Sequence, residues 1–88
     1  MRLDKFLQVS RLVKRRTIAN TLCSRGAVSV NGHVAKAGKM LAVGDVIRLP
    51  HASGDETVSE REYEVLELPA GNVSRARAAT LYLLRSER

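Results

Sequence analysis

At Gly26 the apolar residues change their period, and that change limits the architectures open to the chain. Before it, Leu3, Phe6 and Leu7 fall at i, i+3 and i+4. This spacing predicts a helix over residues 3–9 with those three side chains on one face. Asp4 sits in its first turn, where a carboxylate favours the helix dipole. Leu12 and Val13 read as apolar connectors tucked beneath it. A second helix is expected over residues 16–25, with Ile18 and Leu22 on one stripe and Ala19 and Cys23 beside them. Gly26 then stands where a glycine in the left-handed region ends a helix.

Beyond Gly26 the period is two. Val28-Ser29-Val30 alternates, Asn31-Gly32 follows and Val34 resumes. Asn-Gly between alternating apolar residues is a strong hairpin signal, because a type I′ turn needs positive φ at both central positions. Val43-Gly44-Asp45 is a second turn leading into a strand, Val46 to Leu49, which Pro50 is expected to close. Residues 51–57 read as a polar loop. Glu62-Tyr63-Glu64-Val65 alternates, and the apolar character runs on to Leu66 and Leu68. Pro69-Ala70-Gly71-Asn72 breaks that strand. Ser74 is placed to cap a last helix through about Leu84, with Ala78, Leu81, Tyr82 and Arg85 at helical spacing. The order is α-α-β-β-β-β-α, an α+β fold in one domain.

Composition removes several functions. Phe6, Tyr63 and Tyr82 are the only aromatic residues. The core must be aliphatic, and RNA reading by an aromatic-covered sheet is not expected. One cysteine, Cys23, and two histidines, His33 and His51, cannot make a disulfide or a zinc cluster. Neither a metal nor a cofactor is expected. No apolar run approaches the ~20 residues that span a bilayer, and the N-terminus lacks the apolar stretch of a signal peptide. A soluble cytoplasmic protein is the expectation.

Charge supplies the functional signal. Residues 1–50 carry a net charge of +8 and residues 51–88 a net charge of −2. Such asymmetry in a small domain implies an external polyanion. Lys14-Arg15-Arg16 lies at the start of the second helix, where cations cost ~0.3–1 kcal/mol each. A bound phosphate reverses that balance, since free backbone N–H groups, dipole and side chains all favour it. Arg2 and Lys5 flank the first helix and extend the basic surface if the helices pack together. Lys36, Lys39 and Arg48 continue it on the sheet side.

Acids and nucleophiles read as structural. Asp4 has no second carboxylate or histidine near it in sequence, so it serves as a helix-start charge or a partner that orients Arg2 or Arg16. Glu60, Glu62 and Glu64 alternate onto one solvated sheet face. Cys23 is a small core residue without evident activation, and His33 is a polar surface residue beside the Asn-Gly turn.

The ordered set Arg2-Leu3-Asp4-Lys5-Phe6-Leu7, Lys14-Arg15-Arg16-Thr17, Arg25-Gly26, Val28-Ser29-Val30-Asn31-Gly32, Lys36 and Val43-Gly44-Asp45 resembles the S-four domain, the alpha-L RNA-binding motif. The likeness covers residues 1–50, the RNA-binding core. Residues 51–88 complete the same domain with a loop, a further strand and a C-terminal helix. The resemblance implies two antiparallel helices packed on a small bent antiparallel sheet, with RNA along the helical pair. It implies that Arg2, Lys5 and Arg16 lead the RNA contacts, with Lys14, Arg15, Lys36 and Lys39 beside them, and that Asp4 is structural. Arg15 stands where many S-four domains have serine, and Ala37 where many have proline.

Among stand-alone members, the chain is similar to the ribosome-associated quality control factor P group through its length, Lys-Arg-Arg-Thr and Ala78-Ala79-Thr80-Leu81-Tyr82. That likeness implies a non-catalytic protein binding large ribosomal subunits obstructed by peptidyl-tRNA. Its contacts would be large-subunit rRNA and the tRNA, and a bacterial NEMF-family factor would add alanine tails to the stalled chain. A monomer away from membranes is expected. The alternatives are a heat-shock-type recycling factor for large subunits, or an RNA-targeting module of a separately encoded RNA-modifying enzyme.

Overall fold

The computed structural model describes residues 1–52 and 58–87. Helix α1 spans Leu3–Val9 and helix α2 spans Arg16–Ser24. Strands β1 (Ser29–Val30), β2 (His33–Val34), β3 (Val46–Ala52) and β4 (Val58–Val65) follow. A single helical turn, α3 (Arg75–Ala78), precedes strand β5 (Tyr82–Glu87). The strands form one antiparallel sheet in the order β2-β1-β3-β4-β5.

The helix pair forms because each helix has a face of the right chemistry. Leu3, Phe6 and Leu7 of α1 are fully buried, and each such side chain contributes roughly 1.5–3 kcal/mol on removal from water. Small residues let α2 approach. Ala19 and Cys23 are buried, while Ile18 is 47% exposed and Leu22 only partly covered. The buried stripe of α2 is thus one residue round from the Ile18/Leu22 stripe. Beneath the helices lie Val28, Val30, Ile47, Leu49, Tyr63 and Val65, which join them in one core.

The turns follow the sequence closely. Gly26 has φ +74 directly after α2, and its N–H donates to the Cys23 carbonyl. Asn31 and Gly32 have φ of 53 and 85, the two left-handed residues that the hairpin requires. Asn31 also locks the next turn. Its Nδ2 donates to Asp45 Oδ1 at 3.0 Å, and its Oδ1 accepts from the Val46 N–H at 2.9 Å.

Three expectations are corrected. Strand β3 runs through Pro50 to Ala52, so His51 and Ala52 belong to the strand and not to a loop; residues 53–57 lie outside the described set. Proline is accommodated because β1 reaches only Ile47 and Arg48, leaving β3 without a described neighbour on that side at Pro50. Strand β4 begins at Val58, not Glu62, and ends at Val65, short of Leu66 and Leu68. The C-terminal helix starts at its expected cap, with Ser74 Oγ accepting from the Arg77 N–H at 3.2 Å, but it stops at Ala78. Residues from Tyr82 onward pair with β4 instead. A four-residue helix gains little on its own. Pairing with β4 gives one side of the β5 backbone its hydrogen-bond partners and sets Tyr82 edge-to-face against Tyr63, with ring centroids 5.3 Å apart.

Candidate nucleic-acid interface

The two helices meet around a buried carboxylate. Asp4 is 2% exposed and holds both leading arginines. Arg2 Nε lies 3.2 Å from Asp4 Oδ1, and Arg16 Nε lies 3.2 Å from Asp4 Oδ2. The Lys5 N–H donates to Oδ1 at 2.8 Å, and Asn20 Nδ2 makes a longer contact to Oδ2 at 3.5 Å. Burial on its own pushes the Asp4 carboxyl up. The Arg16 hydrogen bond, the Lys5 N–H and the charges of Arg16 and Arg2 outweigh it, and hold the group below the usual carboxylate range. Asp4 is therefore an anchor, as its sequence position suggested.

Anchoring leaves both guanidinium groups half exposed. Each turns its Nε toward Asp4 and keeps further donors for solvent or an anion. Arg2 also rests against a backbone loop. The Leu3 N–H donates to the Lys39 carbonyl at 2.8 Å, and the Leu41 N–H to the Met1 carbonyl at 2.9 Å. Gly38 lies next to the Arg2 side chain, so that a β-carbon there would make ordinary contact with Arg2 Nη2 at 3.8 Å. The loop from Lys36 to Met40 is thereby tied to the start of α1, and it carries the exposed Lys36 and Lys39.

The other basic residues gather elsewhere. Lys5 Nζ donates to Asn72 Oδ1 at 3.1 Å. Lys14 lines a small cleft with Gln8, Arg11 and Asn72 at the far end of α1. Arg15 occupies the N-cap position of α2 in an extended conformation, exposed and without a side-chain cap bond. Of Lys14, Arg15 and Arg16, Arg16 is the one bonded to Asp4. Arg48 is ion-paired on the sheet, with Glu62 Oε1 2.6 Å from its Nη2 and Glu60 Oε2 3.5 Å from its Nε.

Arg11, Asn20 and Asn72 are polar members that the sequence reading did not single out. Asn20 lies four residues after Arg16, on the same helix face, and that spacing is a usable signal. Nothing local in the sequence marks Asn72, which reaches Lys5 across the fold. Burial first, then the charge of Asp4, raises the Cys23 thiol above its usual value, which disfavours the thiolate. No described helix is long and apolar enough to cross a membrane.

Residues 1–47 match the S4 domain family. The chain is 46% identical to the RQC P-site tRNA stabilizing factor of Halalkalibacterium halodurans, over 99% of this chain and 92% of that protein. Its fold superposes on the solution structure of the hypothetical protein HP1423 with a TM-score of 0.77 and 40% identity, covering all of both chains. It also superposes on Vibrio cholerae Heat Shock Protein 15, described as trimeric, with a TM-score of 0.82 and 28% identity over 98% of this chain and 82% of that one. The chain belongs to the S4 domain family, in the group of the RQC P-site tRNA stabilizing factors.

Proposed function

We propose that this protein is a non-catalytic RNA-binding factor of ribosome-associated quality control in the cytoplasm. It binds large ribosomal subunits obstructed by peptidyl-tRNA and contacts both rRNA and tRNA. Holding the P-site tRNA in place, it supports alanine tailing of the stalled chain by a bacterial NEMF-family factor, and it acts as a monomer. Arg2 and Arg16 lead the contact, and Lys5, Lys14, Arg15, Lys36 and Lys39 extend it.

One observation carries this reading. A buried carboxylate fixes two half-exposed guanidinium groups across a rigid helix pair. Backbone phosphates are the ligand such an arrangement suits, because charge-assisted N–H···O bonds to phosphate give both affinity and register. The name borne by a relative that matches almost the whole chain supports the P-site tRNA as the target. The likeness to Heat Shock Protein 15 supports the recycling alternative through the fold, at lower identity.

Sedimentation of lysate through a sucrose gradient tests the proposal. The protein is expected with free large subunits, and Arg16→Ala is expected to move it toward the top of the gradient while circular dichroism stays unchanged. Wild-type protein found only at the top, or co-sedimentation unaffected by Arg16→Ala, would overturn it. Competition with duplex DNA separates an RNA-specific factor from a general nucleic-acid binder.

A further inference from the structure

Arg11 stands where the backbone asks for glycine. Helix α1 ends with Ser10 as its C-cap, and the next residue, Arg11, has φ +64. The Arg11 N–H donates to the Gln8 carbonyl at 3.1 Å, the bond made by the left-handed residue that closes a helix, a position glycine usually takes. A branched or long side chain there costs stability. Its charge favours the dipole at the C-terminal end of α1, but among the described residues no hydrogen bond or ion pair involves the Arg11 side chain, which is exposed.

What Arg11 does is line a cleft. With Gln8, Lys14 and Asn72 it encloses about 230 Å³ at the C-terminal end of α1. The cleft has two cationic side chains and no carboxylate among its lining residues. Asn72 is oriented within it by chemistry. An ammonium only donates, so the Asn72 amide must turn its oxygen to Lys5 Nζ, 3.1 Å away. Its NH₂ group is then the end left for a ligand. Arg11, Lys14 and the Asn72 amide all present donors to one space, which an acceptor-rich anion would fill.

We infer that Arg11, Lys14 and Asn72 form a second phosphodiester-binding site, separate from the Asp4-anchored arginine pair. The seven residues of α1 place the two sites about one helix length apart, roughly 10 Å. That span exceeds one phosphate contact, so the helix pair holds a stretch of RNA backbone, or two neighbouring RNA segments, at two points. Two-point attachment fixes direction as well as position. It also gives the C-terminal half a direct part in binding, through Asn72 on the segment between β4 and α3.

This inference rests on the RNA-binding reading, and the test separates the two. Full-length wild type, Arg11→Gly, Arg11→Lys, Asn72→Ala and Arg16→Ala are titrated against purified large subunits, vacant or carrying peptidyl-tRNA, across a salt series. Arg11→Gly is expected to weaken binding about five- to tenfold and to flatten the salt slope by roughly one contact's share. The same variant is expected to melt a few degrees higher, because glycine relieves the left-handed strain. Arg11→Lys keeps most of the affinity, and Asn72→Ala loses several-fold. A loss on both kinds of subunit assigns the phosphate to rRNA, and a loss only on the tRNA-bearing subunit assigns it to tRNA. If Arg16→Ala weakens binding while Arg11→Gly and Asn72→Ala bind like wild type, the second site does not exist and the RNA-binding reading stands. If wild type itself binds neither subunit, both fall.

Discussion

Asp4 sets the geometry on which the arginine pair depends, and its ionisation is linked to stability. Its folded pKa lies below the ordinary value of 3.8, so the ionised form is the one that the native state favours. The stabilisation is complete above the ordinary carboxylate range. It drains as pH falls through that range toward the lowered folded value, and is gone below it. Asp4→Asn removes the charge while keeping the shape. Because Arg2 and Arg16 are half exposed and water screens them, the expected cost near neutral pH is about 1–2 kcal/mol, below that of breaking a fully buried pair. Urea denaturation of both proteins should show the gap narrowing on acidification from about pH 7 to about pH 3. A gap independent of pH would mean that the carboxylate charge contributes nothing. The anchor role of Asp4 was legible from its place in the first turn between basic residues. The left-handed backbone at Arg11 was not, because arginine carries no local preference for that region and the expected marker, a glycine, is missing.

At the scale of elements, the first half of the chain could be read almost residue by residue, and the second half could not. The N-terminal elements announce themselves through local chemistry: an i, i+3, i+4 stripe, a glycine after α2, and Asn31-Gly32 in a tight turn. Strand β5 has no such signature. Leu81-Tyr82-Leu83-Leu84 is an unbroken apolar run, compatible with helix or strand, and a long-range partner decides between them. That partner is β4, where Val65 pairs with Tyr82 and Tyr63 with Leu84. Polar β4 residues such as Ser59 and Arg61 were equally silent, since they pair with β3 without an apolar alternation to mark them. If sheet pairing and the Tyr63–Tyr82 contact hold β5 in place, Tyr82→Ala should destabilise the fold by roughly 1–3 kcal/mol. Chemical denaturation reads that loss directly. Helical content by circular dichroism should stay the same, whereas a helix through this segment would lose signal.

Across the whole molecule, ion pairing sharpens the charge asymmetry into a directed surface. In the C-terminal half, acids are matched locally: Glu60 and Glu62 with Arg48, Glu64 with Arg85, and Glu67 with Arg77. On the helical side, Asp4 is the carboxylate that meets the basic residues, and it is shared by Arg2 and Arg16. No ion pair among the described residues holds Arg11, Lys14, Arg15, Lys36 or Lys39. The sheet thus neutralises itself while the helix pair and the loop beside Arg2 keep their field. Binding should then be driven by release of counterions from RNA. With about five or six cations reaching phosphates at ~0.7–0.9 ions each, log K should fall with log salt at a slope of about −4 to −5. Arg48→Ala should leave that slope unchanged, because Glu60 and Glu62 already occupy its guanidinium. Arg16→Ala should reduce it by roughly one contact's share, and the weakening should be similar for unrelated RNA sequences, since phosphates carry no base identity. A slope near zero for the wild type would contradict phosphate-driven binding. A slope that Arg48→Ala reduces as much as Arg16→Ala would place RNA on the sheet, against the pairing that the fold builds there.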